Sequence, residues 1–140
     1  MWRQPKKRLL LSVALVLSLL LAGAAFEASM KRRDTKRFPP PGELIELGGY
    51  RLHLYCTGNG EPTVVLEAGL GDSSMVWARV QEQVAEPTRV CSFDHAGLGW
   101  SDPGPKPRSF DKVAGELRTL LRTAGEQPPY VLVGHSSGAH

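Results

Sequence analysis

The sequence is poor in residues that hold metals. It has two cysteines, Cys56 and Cys91, in 140 residues, with no C-x-x-C pair and no paired-histidine motif, so no metal constellation is expected. It also lacks a G-x-G-x-x-G fingerprint and a P-loop, so no nucleotide cofactor is implied. No internal repeat appears, and no basic stripe runs through the globular part, which excludes a nucleic-acid reading despite a pI near 9.1. The basic charge is concentrated at one end. Up to Pro41 there are nine basic and two acidic residues, a net +7; from Gly42 onward there are eight basic and twelve acidic, a net −4. About 100 residues follow the leader, enough for one small domain. The division expected is therefore a leader over 1–41 and a domain over 42–140.

What the leader has in abundance is apolar length. Leu9 to Phe26 is an uncharged run whose helix would span about 27 Å, just enough for a bilayer core. Arg3, Lys6, Lys7 and Arg8 precede it like the n-region of an export signal, and Ala22-Gly23-Ala24 would serve as a cleavage site. Cleaved signals have shorter apolar cores, so an uncleaved anchor is expected, with a secreted product if that site is cut. No face of the run is polar, which argues against a core helix. Four basic residues lie before the run and five after it, nearly a tie for the positive-inside rule. An extracytoplasmic domain is the expectation, with Phe38-Pro39-Pro40-Pro41-Gly42 as a stiff spacer.

Along the domain, Glu43–Leu47 and Tyr50–Cys56 flank Gly48-Gly49, a two-residue hairpin signal. Thr63 to Leu66, Arg89 to Phe93 and Tyr130 to Val133 read as strands buried on both faces. Val76, Trp77, Val80 and Val84 recur at helical spacing and predict an apolar helix face ended by Pro87. Ser109 is an N-cap for a second helix with Asp111 in its first turn. Its inner face is Val113, Leu117, Leu120, Leu121 and Ala124, and Gly125 is its stop. A hairpin followed by β-α-β-α-β predicts an α/β protein with a parallel sheet.

The third strand runs directly into Gly134-His135-Ser136-Ser137-Gly138. G-x-S-x-G alone is a weak pattern; after a buried strand and before a helix it describes a strained turn that holds a serine at the end of the sheet. Ser136 is the candidate nucleophile, and Gly134 and Gly138 are required where side chains would collide across the turn. An acyl-transfer serine needs donors for the developing oxyanion. The N–H of Ser137 is one, and the N–H of Leu70, in the glycine-rich loop Ala68-Gly69-Leu70-Gly71 after an earlier strand, is the other.

With Asp94-His95-Ala96-Gly97-Leu98-Gly99-Trp100-Ser101 between them, these motifs resemble the α/β-hydrolase superfamily, AB hydrolase-1 type. The middle one is similar to that family's D-x-x-G-x-G-x-S loop. The resemblance implies strands 1–5 of a mostly parallel eight-stranded sheet, with Ser136 as nucleophile and Leu70 and Ser137 as oxyanion donors. It further implies attack on an ester, less readily an amide, of a small molecule. Serine at the elbow argues against dehalogenase and epoxide-hydrolase chemistry.

Two departures accompany it. Ala68 stands where many members carry His, a change expected to affect loop support. The family's triad acid and histidine follow the serine, whereas only Ser137, Gly138, Ala139 and His140 follow Ser136 here. His140, on the helix that the elbow opens, is not placed to act as base. The chain therefore reads as an N-terminal fragment. The rival reading is a non-catalytic product with only membrane attachment or binding. The remaining candidates have structural readings: His53 in a strand, His95 supporting its loop, His135 flanking the nucleophile, Asp94 capping its own loop. Cys56 and Cys91 are expected on neighbouring strands as free buried thiols, since that geometry seldom suits a disulfide.

Overall fold

The computed structural model describes residues 4–139; Met1–Arg3 and His140 lie outside the described residues, and with them the leader's Arg3 and the His140 reading. The chain divides into two units after Pro39. The first is one helix, α1 (Gln4–Arg37), which contains a segment, Lys7–Asp34, long and apolar enough to cross a membrane. The helix continues through the basic residues beyond the apolar run, ending where Pro39 disfavours helical backbone at Phe38.

The second unit begins with β1 (Glu43–Glu46) and β2 (Arg51–Thr57), an antiparallel pair with Glu46 opposite Arg51. Gly48 and Gly49 have φ of +91° and +107°, so the two-residue turn demands glycine. Then follow β3 (Thr63–Glu67), a 3-10 turn (Ser74–Trp77) running into α2 (Ala78–Val84), β4 (Val90–Phe93), α3 (Phe110–Thr123), β5 (Tyr130–Gly134) and a 3-10 turn over Ser136–Ala139. The sheet order is β1-β2-β4-β3-β5, with β3 parallel to both β4 and β5. Two crossovers thus bring the C-terminal ends of β3, β4 and β5 side by side, where the loops carrying the three motifs emerge.

Helix α3 forms as its sequence dictates. The Ser109 hydroxyl accepts the Lys112 N–H, and Gly125 ends the helix at φ +80°. Leu117, Leu120 and Leu121 are buried against Leu52, Leu54, Val65 and Phe93. Each such side chain stabilises by roughly 1.5–3 kcal/mol. The helix is also tied laterally. Arg108 makes a two-pronged pair with Glu116 at 2.6 Å, and the Tyr50 hydroxyl donates to the same carboxylate at 2.7 Å. Burial and that bond push the Tyr50 phenol up to about 12.

Three expectations need correction. In α2 the buried residue is Gln81, while Val76 and Val80 are exposed. The Gln81 amide donates to Tyr55 O and accepts from the Ser92 hydroxyl, bridging β2 to β4, so a polar side chain takes the inward position assigned to valines. β5 is an edge strand among the described residues: Val131, Leu132 and Val133 are exposed, because only β3 pairs with it. Cys56 and Cys91 form a disulfide rather than two thiols. The antiparallel register sets them directly opposite, with Cα atoms 4.0 Å apart. That is the close approach of a pair without flanking ladder bonds, and it brings the two sulfurs together.

Candidate active site

The elbow is built on β5. Its pairing with β3 ends at Gly134 opposite Glu67, after which the His135 N–H still donates to Glu67 O at 3.1 Å. The chain then reverses sharply. Ser136 has φ +56°, the sole non-glycine residue with positive φ among those described, and such a position costs about 1–3 kcal/mol and persists only where its surroundings impose it. Those surroundings are visible. The Gly138 N–H closes the turn on His135 O at 3.0 Å. A Cβ at Gly134 would lie 2.0 Å from Gly138 O, and one at Gly138 would lie 2.8 and 2.9 Å from the carbonyl oxygens of Glu67 and Ala68.

The loop after β3 lies against this turn. A Cβ at Gly69 would stand 3.2 Å from Ser136 Cβ and 3.3 Å from His135 O, so a side chain there would push the serine turn away by a few tenths of an ångström. The Asp72 N–H closes the loop on Gly69 O at 3.1 Å, leaving Leu70 at the tip, 90% exposed. Leu70 and Ser137 share a cavity of about 410 Å³ with Glu67, His95, Leu98, Arg108, Phe110 and Val113. A second cavity of about 410 Å³, against Tyr55, Met75 and Gln81, contains none of the elbow residues.

The loop after β4 supplies the support. Asp94 is fully buried and does cap its own loop, accepting the Trp100 N–H at 3.0 Å. It also accepts the Ser74 N–H at 2.6 Å, a link across 20 residues that no local pattern signals. His53 Nδ1 lies 3.0 Å from the same carboxylate, and its Nε2 meets Pro41 O. Burial raises the Asp94 carboxyl, but the His53 imidazole and the Ser74 and Trp100 N–H groups outweigh it and hold the group below its ordinary value. Its neighbour His95 lies with Nε2 3.4 Å from Glu67 Oε1. Burial lowers His95, although its bond to Ala68 O opposes this, and burial raises Glu67, so the environment favours the neutral form of each.

The structure thus gathers Gly134, Ser136, Ser137, Gly138 and the Gly69–Leu70 loop at one place. Among the described residues, no histidine hydrogen-bonds the Ser136 hydroxyl. His53 lies against the buried Asp94 carboxylate, and His95 lies with its Nε2 3.4 Å from Glu67 Oε1. Cys56, Cys91 and Glu126 have ligand atoms within 4.8 Å of one another, yet the disulfide holds both sulfurs and Arg89 holds the carboxylate at 2.6 Å.

A mixed sheet with parallel β4-β3-β5, helices in the crossovers and a positive-φ serine after β5 defines an α/β-hydrolase architecture. The chain belongs to the alpha/beta hydrolase fold family, whose model matches residues 62–140. It is 39% identical over 82 residues to a putative carbamate hydrolase, RutD, of Klebsiella pneumoniae, a match covering 57% of this chain and 30% of that protein. An uncharacterised Bacillus subtilis protein, YbdG, is 23% identical over 138 residues, which is 97% of this chain and 42% of the relative. Among solved structures, the enol-lactonase of Burkholderia xenovorans superposes with a TM-score of 0.63 at 24% identity, over 69% of this chain and 38% of that one. The chain spans less than half the length of these proteins.

Proposed function

We propose that this chain supplies the nucleophile and oxyanion donors of a serine hydrolase that cleaves small esters, and amides less readily. The observation that carries the reading is Ser136 at φ +56°, the first residue of the 3-10 turn that follows a parallel strand, with Gly69 close to its Cβ. In that posture the Ser136 hydroxyl stands on the turn just past the C-terminal end of β5. It would attack the carbonyl carbon, the Leu70 and Ser137 N–H groups would hold the oxyanion, and water would then release the acyl group. A base must take the hydroxyl proton, and among the described residues no imidazole hydrogen-bonds it. The similarity to a putative carbamate hydrolase supports acyl transfer.

In this reading the domain over 42–140 is held to a membrane by the apolar helix, with the leader over 1–41 uncleaved. The disulfide supports a domain on the oxidising side of that membrane, since such bonds persist in extracytoplasmic compartments. The test uses a polypeptide that continues past this chain to the full length of its relatives. It should hydrolyse p-nitrophenyl butyrate faster than the matching anilide, and Ser136→Ala should lower kcat by several powers of ten. Unchanged turnover in Ser136→Ala would refute the assignment.

A further inference from the structure

A patch of one-signed charge stands just past the apolar run of the leader. Lys31, Arg32, Arg33, Lys36 and Arg37 occur within residues 31–37, with Asp34 as the one acid among them. Because α1 stays helical to Arg37, the directions of these residues follow from the helix pitch. At about 100° per residue, Arg32, Arg33, Lys36 and Arg37 share an arc of about 140°. Glu27 and Asp34, two turns apart, both point to the other side of the helix. The four basic side chains are exposed, and among the described residues no ion pair joins any of them to a carboxylate. Arg37 lays its guanidinium over the Phe38 ring, 5.4 Å from the centroid, which leaves the N–H edge of the fork for an oxyanion.

Depth matters as much as direction. With Leu9 to Phe26 filling the apolar core, Arg32 and Arg33 stand about 9–11 Å beyond Phe26 along the helix, and Lys36 and Arg37 about 15–17 Å. The headgroup layer of one leaflet is about 5–8 Å thick. Long basic side chains reach back along their apolar stems, and a helix tilt of about 20° brings them closer still. All four charges therefore lie within about one Debye length, about 8 Å, of the lipid phosphates. A zwitterionic headgroup answers its phosphate with its own cation, whereas an anionic one leaves that charge for the protein to meet. We propose that this basic face of α1 binds the headgroups of anionic phospholipids in the leaflet at the C-terminal end of the helix. The inference rests on the reading that the apolar helix lies in a membrane and is independent of the nucleophile. Each basic side chain near an anionic surface favours it by about fivefold, and turning Glu27 and Asp34 away keeps like charge off that surface.

The test uses a polypeptide that carries this chain and continues to the length of its relatives, reconstituted in vesicles of phosphatidylglycerol and phosphatidylcholine mixed one to four. Trace photoactivatable forms of the two lipids are compared, each with a diazirine at the same acyl carbon near the ester, and adducts are located by mass spectrometry. Over residues 26–37 the phosphatidylglycerol probe should label at least about fivefold more strongly than the phosphatidylcholine probe. Salt at about 1 M, where the Debye length is about 3 Å, should bring the two probes level. Arg32→Gln, Arg33→Gln, Lys36→Gln and Arg37→Gln made together should level them as well, with total labelling retained. Arg32→Lys, Arg33→Lys and Arg37→Lys made together keep the charge and should keep the preference. Equal labelling by the two probes in the unaltered protein, a preference that survives the four Gln substitutions, or one lost in the Lys variant overturns the headgroup site. A protein that carbonate extracts and neither probe labels overturns it together with the membrane reading. The two failures are distinguishable, because loss of the site alone leaves labelling in place without preference.

Discussion

Gly134→Ala perturbs the elbow through one added methyl group, and the structure sets its scale. The new Cβ would meet Gly138 O at 2.0 Å, Gly138 C at 2.4 Å and Ala139 N at 2.7 Å. Ordinary contact begins near 3.4 Å, and all three atoms are backbone, so the turn must open by about 1 Å or more. Opening it breaks the Gly138 N–H to His135 O bond, a net loss of about 1 kcal/mol. Overpacking adds about 1–3 kcal/mol. The expected destabilisation is therefore about 3 kcal/mol. Gly115→Ala is the matched control: Gly115 lies inside α3 with nothing within 4 Å of a Cβ. There the methyl group should stabilise by about 0.5–1 kcal/mol through lower unfolded-state entropy and better helix propensity. Urea unfolding followed by the α/β signal reads both, and with an m-value of about 1–2 kcal/mol/M the midpoints should move in opposite directions. A Gly134→Ala midpoint equal to that of the unaltered chain would show that the turn is not closed as described.

Replacing Cys56 and Cys91 together by Ala should cost about 3–4 kcal/mol, the loop-closure value for a 35-residue separation, and the unaltered chain should show no maleimide-reactive thiol before reduction. Asp94 titrates below its ordinary carboxyl value when folded, so it binds fewer protons folded than unfolded near pH 4. Its contribution is complete above about pH 5, lies above the unfolded value of about 3.9, and is lost as pH falls through the folded value. Asp94→Asn should flatten that acid limb in pH-dependent unfolding, and an unchanged limb would remove Asp94 from it. The chain should remain with membranes through a carbonate wash with residues before Ala25 intact; a soluble product beginning near Ala25 would show cleavage of the leader instead.

Much of this was legible because it is local chemistry. Gly48-Gly49 dictates a hairpin, Ser109 and Gly125 bracket α3, and a β-branched run before Gly134-His135-Ser136-Ser137-Gly138 announces the elbow. The misreadings all lie where a partner distant in sequence decides. Val76 and Val80 fit a helical stripe, but Gln81 wins the inward position because Tyr55 O and the Ser92 hydroxyl await it there. The cysteines pair because the β2–β4 register sets them opposite, which spacing along the chain does not reveal. Tyr130 to Val133 has the composition of a doubly buried strand, yet exposure is a matter of neighbours, and among the described residues only β3 pairs with it. Asp94 was readable as a cap for the loop it opens; its reach to the Ser74 N–H follows only from the crossover that lays β3 beside β4.

The central claim is that Ser136 is the nucleophile, and covalent capture tests it most directly. A polypeptide that carries these residues and continues to the length of its relatives is treated with a fluorophosphonate and digested, and the modified residue is located by mass spectrometry. The label should sit on the Ser136 hydroxyl oxygen and vanish in Ser136→Ala, while Ser137→Ala, which keeps its backbone N–H, should still be labelled. Labelling of a different residue, or labelling that persists undiminished in Ser136→Ala, would contradict the account.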